Sequence, residues 1–352
     1  MTLDLPAMQK QLDSGNMYEA IQGFPQQILE AFKIVDIWQP ECTYQSIHSI
    51  LILGMGGSAI GGDVVRVMVQ DSAQVPIMVN RSYNLPAWVD GSTLVIANSY
   101  SGNTEETLSA YQQAREAKAQ MLVISTGGTI SEWAHRDKLD LVAMPAGLQP
   151  RAALGYSFTL LMLVLNKLGF VVNDAVNTLH KAVFRLKEFG QAYQIGSENN
   201  PGLSLAQKIH DTIPVIYGSE DLTWVAALRF RGQLAENAKM LAWHHHLPEQ
   251  NHNEIEGWSC NEDLLKRLSI IWFYNEDDHP RIQARMKVTR QLLEDKAGGQ
   301  YVIKAQAESR IERLLKLIHC SDWISYYAAL LNGQDPTPVD RIGLLKLKMS
   351  EL

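Results

Sequence analysis

The sequence predicts an α/β protein with two domains, each a parallel β-sheet flanked by helices, and three observations carry that expectation. Short apolar runs alternate with helix-like segments through the first half of the chain, the pattern of consecutive βαβ units. The same rhythm restarts after a polar break at Gly196–Gly202 (GSENNPG). The length of 352 residues accommodates two domains of roughly 100–200 residues each.

Taken in order, residues 1–45 read as a helical lead-in. Strands are expected at Ile50–Leu53 (ILIL), Pro76–Val79 (PIMV), Thr93–Ala97 (TLVIA), Met121–Ile124 (MLVI) and Leu139–Met144 (LDLVAM). Helix-like segments separate several of them, at Ile60–Gln70, Glu105–Ala117 and Ser131–Asp137, and a long helix from about Arg151 to Leu168 closes the domain, taken as 46–170. Residues 171–205 read as a mostly helical linker. The second domain, 206–352, has strands at Thr212–Tyr217 (TIPVIY), Leu268–Phe273 (LSIIWF) and Gln300–Ile303 (QYVI). Its helices are expected at 223–241, 280–295 and 307–331, with further helix toward the C-terminus.

Composition narrows the function. A hydrophobic content of 46% with 20% charged residues suits an ordinary globular core. A net charge of −7 without a dense basic block argues against nucleic acid or an anionic membrane as partner. Cys42, Cys260 and Cys320 are odd in number, widely spaced and without a CxxC pair, which suits a reducing, cytoplasmic compartment rather than a disulfide framework or zinc ribbon. The N-terminus MTLDLPAMQKQLDSGN lacks the basic and apolar regions of a signal peptide. The most apolar stretch, Phe158–Val172, is broken by Asn166 and Lys167 and is too short to span a bilayer, so it reads as a buried helix.

Two glycine- and hydroxyl-rich turns stand out. Asn98–Thr107 (NSYSGNTEET) follows a strand and opens a helix, with Ser99, Ser101 and Thr104 supplying hydroxyls and Gly102 the turn. Such a strand-to-helix turn is a phosphate cradle, because backbone N–H groups converge where the helix dipole favours an anion. The plainer alternative is a helix cap in a polar loop. Gly54–Asp63 (GMGGSAIGGD) contains a G-x-G-x-x-A spacing. The next strand, however, ends in Asn80 and Arg81, not in the acidic residue of a dinucleotide site, and no GK[ST] follows. We read it as a loop facing the same ligand through its backbone and Ser58, with a purely structural tight turn as the alternative.

Together these turns resemble the SIS (sugar isomerase) domain. GMGGSAIGGD, SYSGNTEET, PRAALGYSF (Pro150–Phe158), ENAK (Glu236–Lys239) and NHNEIEGW (Asn251–Trp258) occur in an order that resembles the bifunctional phosphoglucose/phosphomannose isomerases of archaea and bacteria, over roughly residues 40–350. The resemblance implies two SIS domains, each a three-layer sandwich, in an enzyme active as a homodimer that interconverts hexose 6-phosphates without a metal or cofactor. Carried over, it places Gly57, Ser58, Ser99, Ser101 and Thr104 at the substrate phosphate. Arg151 matches the active-site arginine, Glu236 the base, His252 the ring opener and Lys346, in VDRIGLLK, the C-terminal lysine, with Lys348 close by.

These residue types fill the roles of the reaction. Aldose–ketose isomerisation needs proton transfer at the ring oxygen and anomeric hydroxyl, a base that moves a proton between C2 and C1, and positive charge beside the enediolate. Histidine titrates near neutrality, a desolvated glutamate is a competent base, and arginine is always charged. Without the resemblance each has an ordinary reading: Glu236 as a surface partner of Lys239, His252 as a turn residue, Arg151 as a solvated first-turn residue. His244–His246 with His252 and Glu254 invites a zinc reading, but consecutive histidines on a regular element diverge and no HExxH exists. In the second half, NEDDHP (Asn275–Pro280) is acidic where a phosphate loop would lie, so one phosphate site per chain is expected. Two rivals remain: a non-catalytic sugar-phosphate sensor, disfavoured by the lack of a helix-turn-helix or basic stripe, and a SIS isomerase of another sugar phosphate.

Overall fold

The computed structural model describes residues 3–351, so the first two residues of the lead-in and the last of the C-terminal segment lie outside the described residues. The chain forms two compact units. One comprises Gly23–Lys187 with Ser309–Glu312. The other comprises the residues up to Gln22, Glu188–Glu308 and those from Arg313 onward. The N-terminal segment is therefore divided: helix Met17–Gln22 belongs to the second unit and helix Phe24–Ile37 to the first. The boundary near Lys187 falls within helix Asn173–Gln191.

The first unit is built on a five-stranded, all-parallel sheet. Its strands are β1 (Ser49–Leu53), β2 (Ile77–Asn80), β3 (Thr93–Ser99), β4 (Gln120–Ser125) and β5 (Asp140–Ala143), in the order β2-β1-β3-β4-β5. The unbroken apolar runs follow from burial of both faces, the usual state of a parallel sheet. Leu51, Leu53, Val95, Ala97, Met121 and Val123 pack with Tyr111 and Ala114 of helix Glu105–Glu116 and with Ile130 and Ala134 of helix Gly128–Arg136. The intervening residues, Ile50, Ile52, Leu94 and Ile96, point to the opposite face and are also fully buried. Helix Gly56–Val69 lies on that face, where Gly62 faces Ile52 and Val79, and helices Leu154–Lys167 and Phe24–Ile37 pack beyond it.

The second unit holds a four-stranded parallel sheet of β6 (Ile213–Ser219), β7 (Trp243–Leu247), β8 (Leu268–Tyr274) and β9 (Gly299–Lys304), in the order β7-β6-β8-β9. On one face Val215, Tyr217, Leu247, Ile270 and Trp272 pack against Met286 of helix Pro280–Leu292 and against Trp258. On the other, Phe273 meets Phe230 of helix Trp224–Glu236 at 6.1 Å between ring centroids. Helix Arg310–Leu331 carries Trp323, Tyr326 and Tyr327, whose rings cluster with Tyr18 and fasten the N-terminal segment to this unit.

Three features depart from the sequence expectation. Strand β7 was not foreseen, since its sequence WHHHL lacks the apolar alternation that marks a strand. The helix expected over 223–241 ends at Glu236, because Lys239 adopts a left-handed φ of 54° that no helix continues. The helix expected from Arg151 begins at Leu154 after a separate 3₁₀ turn, Pro150–Ala152.

Candidate functional site

In the first sheet the chain leaves β1, adds β2 on one side and then β3 on the other, so the crevice beyond the C-terminal ends of β1 and β3 is the topological switch point. Ligands of open α/β sheets bind at such crevices. Two helices start there, Gly56–Val69 after β1 and Glu105–Glu116 after β3, and neither has its first-turn N–H groups capped by the side chain of its N-cap residue. Donors and dipole thus converge on one place from two helix ends.

The loops are locked to each other by hydrogen bonds. The backbone N–H of Tyr100 donates to Ser58 Oγ at 3.2 Å, and Asn98 Nδ2 donates to Ser58 O and Ser157 Oγ, each at 2.9 Å. Ser99 Oγ accepts from Gly102 N at 3.2 Å and lies 3.5 Å from Thr104 Oγ1, and Ser101 and Thr104 hydroxyls approach to 3.4 Å. Ser58 and Ser99 are buried and shape the turns from within, whereas Ser101 is exposed and Thr104 half-buried. The hydroxyl proton of Ser58 stays available after it accepts from Tyr100.

Two glycines are required by close approach. A Cβ on Gly57 would stand 2.7 Å from Pro150 O, so only glycine lets the helix start rest on the turn that carries Arg151. Gly102 has φ 69°, and a Cβ there would fall 1.8 Å from Gly127 O. The neighbouring turn after β4 is thereby seated on the loop, with Thr129 N donating to Asn103 Oδ1 at 2.9 Å and Ile130 N to Gly102 O at 3.0 Å.

Arg151 is 4% exposed in the Pro150–Ala152 turn. Gln27, itself buried, braces the junction between that turn and the helix after it: its Nε2 donates to Ala152 O at 2.8 Å and its Oε1 accepts from Gly155 N at 3.0 Å. The structure thus brings Gly57, Ser58, Ser99, Ser101, Thr104 and Arg151 to one end of one sheet. Gln27 and Asn98, which hold them there, were not foreseen. Only the polarity of Gln27 within an apolar helix face hinted at it.

The remaining candidates lie in the second unit on three separate elements. Glu236 is the last residue of helix Trp224–Glu236 and is half-buried. That helix is pinned to helix Arg310–Leu331 by a buried array. Arg229 Nε and Nη2 donate to the two oxygens of Asp322 at 3.1 and 2.8 Å, Gln233 Nε2 donates to Asp322 Oδ1 at 2.8 Å, and Asn237 Nδ2 to Ser325 Oγ at 2.9 Å. Residues 229, 233 and 237 recur every four positions and share one helix face.

His252 ends the 3₁₀ turn Glu249–His252 and is exposed. Its loop is held from both sides. Asn251 Nδ2 donates to Thr289 Oγ1 at 2.8 Å, and the Glu254 carboxylate accepts from Tyr217 OH and from Trp243 Nε1. Burial, and then the Glu254 carboxylate, push the Tyr217 phenol well above its usual range, so it remains a donor. Lys346 and Lys348 are both exposed on helix Asp340–Met349.

The histidine run lies on edge strand β7, where successive side chains alternate between faces. His246 Nε2 is 2.9 Å from Glu220. Burial and the nearby Arg231 push His244 down to about 4. Among the described residues no group of three or more His, Cys, Asp or Glu is arranged to hold a metal ion.

The second sheet has its own switch point, between β6 and β8, and it is filled from within. Asp278, 3% exposed and part of NEDDHP, accepts from Ser219 Oγ at 2.9 Å and from Asn275 Nδ2 at 2.7 Å. Ser219 N in turn donates to Thr223 Oγ1 at 2.7 Å. The chain's own carboxylate thus sits where β6 and β8 end.

Two family models match the chain, one in each half. The model described as the SIS domain matches residues 43–168, and that described as the bacterial phospho-glucose isomerase C-terminal SIS domain matches residues 198–349. The chain is 41% identical over 338 residues to the bifunctional phosphoglucose/phosphomannose isomerase of Caldicellulosiruptor bescii, covering 96% of this chain and 99% of that protein. It is 35% identical over 336 residues to the protein of that name from Aquifex aeolicus, covering 95% and 98%. The crystal structure of a putative phosphosugar isomerase from Clostridium difficile superposes with a TM-score of 0.74 over 94% of this chain and 97% of that one; at 15% identity it shows the fold. Two SIS domains in one chain, matched over nearly the full length of these relatives, establish that the chain belongs to the family of bifunctional phosphoglucose/phosphomannose isomerases.

Proposed function

We propose that the chain isomerises glucose 6-phosphate and mannose 6-phosphate to fructose 6-phosphate by proton transfer through an enediolate. The observation that carries this reading is the pair of helix N-termini without side-chain caps at the β1/β3 crevice, in a chain whose second crevice is filled by Asp278. One anion per chain is the requirement of a hexose monophosphate. In this reading the domain of residues 46–170 anchors the phosphate through Gly57, Ser58, Ser99, Ser101 and Thr104. Arg151 stabilises the enediolate. The domain of residues 206–352, joined through 171–205, supplies the rest. His252 shuttles the proton that opens the ring, Glu236 moves the proton between C2 and C1, and Lys346 adds positive charge beside the sugar oxygens.

No step calls for a metal or cofactor, because arginine and lysine provide the charge that a metal would otherwise supply. A coupled assay with both aldose phosphates, in excess chelator, is expected to show turnover of each. Activity lost to chelator and restored by zinc would revive the histidine strand as a metal centre. Binding of hexose 6-phosphate without turnover would favour a sensor.

We further propose a cytoplasmic homodimer that binds neither nucleic acid nor membrane. Three unpaired thiols and the overall negative charge support that setting, and among the described residues no helix is long and apolar enough to cross a membrane. Light scattering is expected to give twice the chain mass; a fully active monomer would refute the dimer.

A further inference from the structure

We infer that Lys239 is a positioning residue, which fixes the end of the Glu236 helix to the turn leading into the helix of Lys346; this rests on the isomerase reading above. The last carbonyls of a helix lack intrahelical donors and attract cations. Here Lys239 folds back with φ 54° and its ammonium donates to Glu236 O at 2.8 Å, Asn237 O at 3.3 Å and Asp335 O at 2.6 Å. Asn332 Nδ2 takes the next carbonyl, Ala238 O, at 3.0 Å. Successive carbonyls from the base onward are thus held by two side chains.

The far side of this joint is braced as well. The Asp335 carboxylate accepts from Ser14 Oγ and, at 2.8 Å, from Thr337 N. Gly15 packs so closely on Thr337 that a Cβ there would approach it to 2.4 Å. Helix Asp340–Met349, with Lys346, starts five residues after Asp335. The array of Arg229, Gln233 and Asn237 fixes the body of the base's helix, and Lys239 and Asn332 join its final turn to the segment that feeds the C-terminal lysine. The three donors of an ammonium match three carbonyls that converge from two segments, which a neutral side chain cannot do.

A displacement of about 1 Å at a reacting group costs on the order of 100-fold in rate. Lys239→Met is therefore expected to lower kcat by about 10- to 100-fold while KM stays within about threefold, since the proposed phosphate donors lie in the other unit. Lys239→Arg should recover most of the loss, because its guanidinium still offers several donors. Solvent-deuterium exchange at C2 should fall in step with kcat. Asn332→Ala, which removes one of the four contacts, should give a smaller loss of the same kind and serves as the test if Lys239→Met fails to fold. Unchanged kcat in both variants, a KM that rises as kcat falls, or no rescue by arginine would each overturn the assignment. Full activity in Glu236→Gln, or no turnover by the unmodified chain, would instead sink the isomerase reading itself.

Discussion

Glu236→Gln is expected to stop isomerisation while leaving phosphate binding intact. Glutamine keeps the size and one acceptor of glutamate but cannot take a proton from carbon. The loss should be at least the roughly 10²–10⁴-fold that a general base contributes. Two observations motivate the choice: Glu236 is half-buried at the very end of a helix that is pinned through Arg229, Gln233 and Asn237 on the side Glu236 shares, and it stands sixteen residues before His252 in the order of the family motif. A side chain at a rigid helix terminus can be aimed without the entropy of a loop. His252→Gln should differ in kind, sparing substrate presented in open-chain form. The measurement is C2 hydrogen exchange in deuterated solvent beside the isomerase rate. Exchange near the unmodified level in Glu236→Gln would mean that another group is the base.

Gly102→Ala is expected to disable substrate binding. The residue sits at φ 69° with a would-be Cβ 1.8 Å from Gly127 O, so alanine meets both backbone strain and a collision with backbone that cannot swing aside. Strain of this type costs on the order of 1–3 kcal/mol, and the loop relieves it only by moving away from the turn after β4. Ser101→Ala sets the scale for losing one hydrogen bond to a charged phosphate, about 1.5–3 kcal/mol, or roughly tenfold to a hundredfold in affinity. Gly102→Ala should exceed it, because several donors shift together. KM for fructose 6-phosphate and inhibition by inorganic phosphate are the readouts. A KM unchanged in both variants would place the phosphate elsewhere.

The parallel sheets were legible because burial of both faces writes itself as unbroken apolar runs such as ILIL and LSIIWF. The Ser/Thr loop was legible because a turn that exposes backbone donors needs glycine and small hydroxyl residues at fixed places. Strand β7 was not, since an edge strand carrying three histidines lacks the apolar signal. The residues that position the site were hidden for another reason. Gln27 lies 124 positions before Arg151, and Lys239 reaches Asp335 across 96. Such contacts join segments that only folding brings near, and in sequence each is a single polar residue with nothing nearby to mark its partner.

Asp278 has a thermodynamic consequence. A ligand that binds only the folded chain stabilises it by mass action, about 2.7 kcal/mol at a hundred times its Kd. On the proposed reading the phosphate's share of that linkage falls on one half of the molecule. The crevice at β1 and β3 draws its anion from solution, so the stability of that half should track the sugar-phosphate pool. The crevice at β6 and β8 holds a carboxylate tethered to the chain, three residues beyond the Asn275 that hydrogen-bonds it. Its occupancy is independent of any metabolite, and the half that carries Glu236 and His252 keeps its frame when substrate runs out.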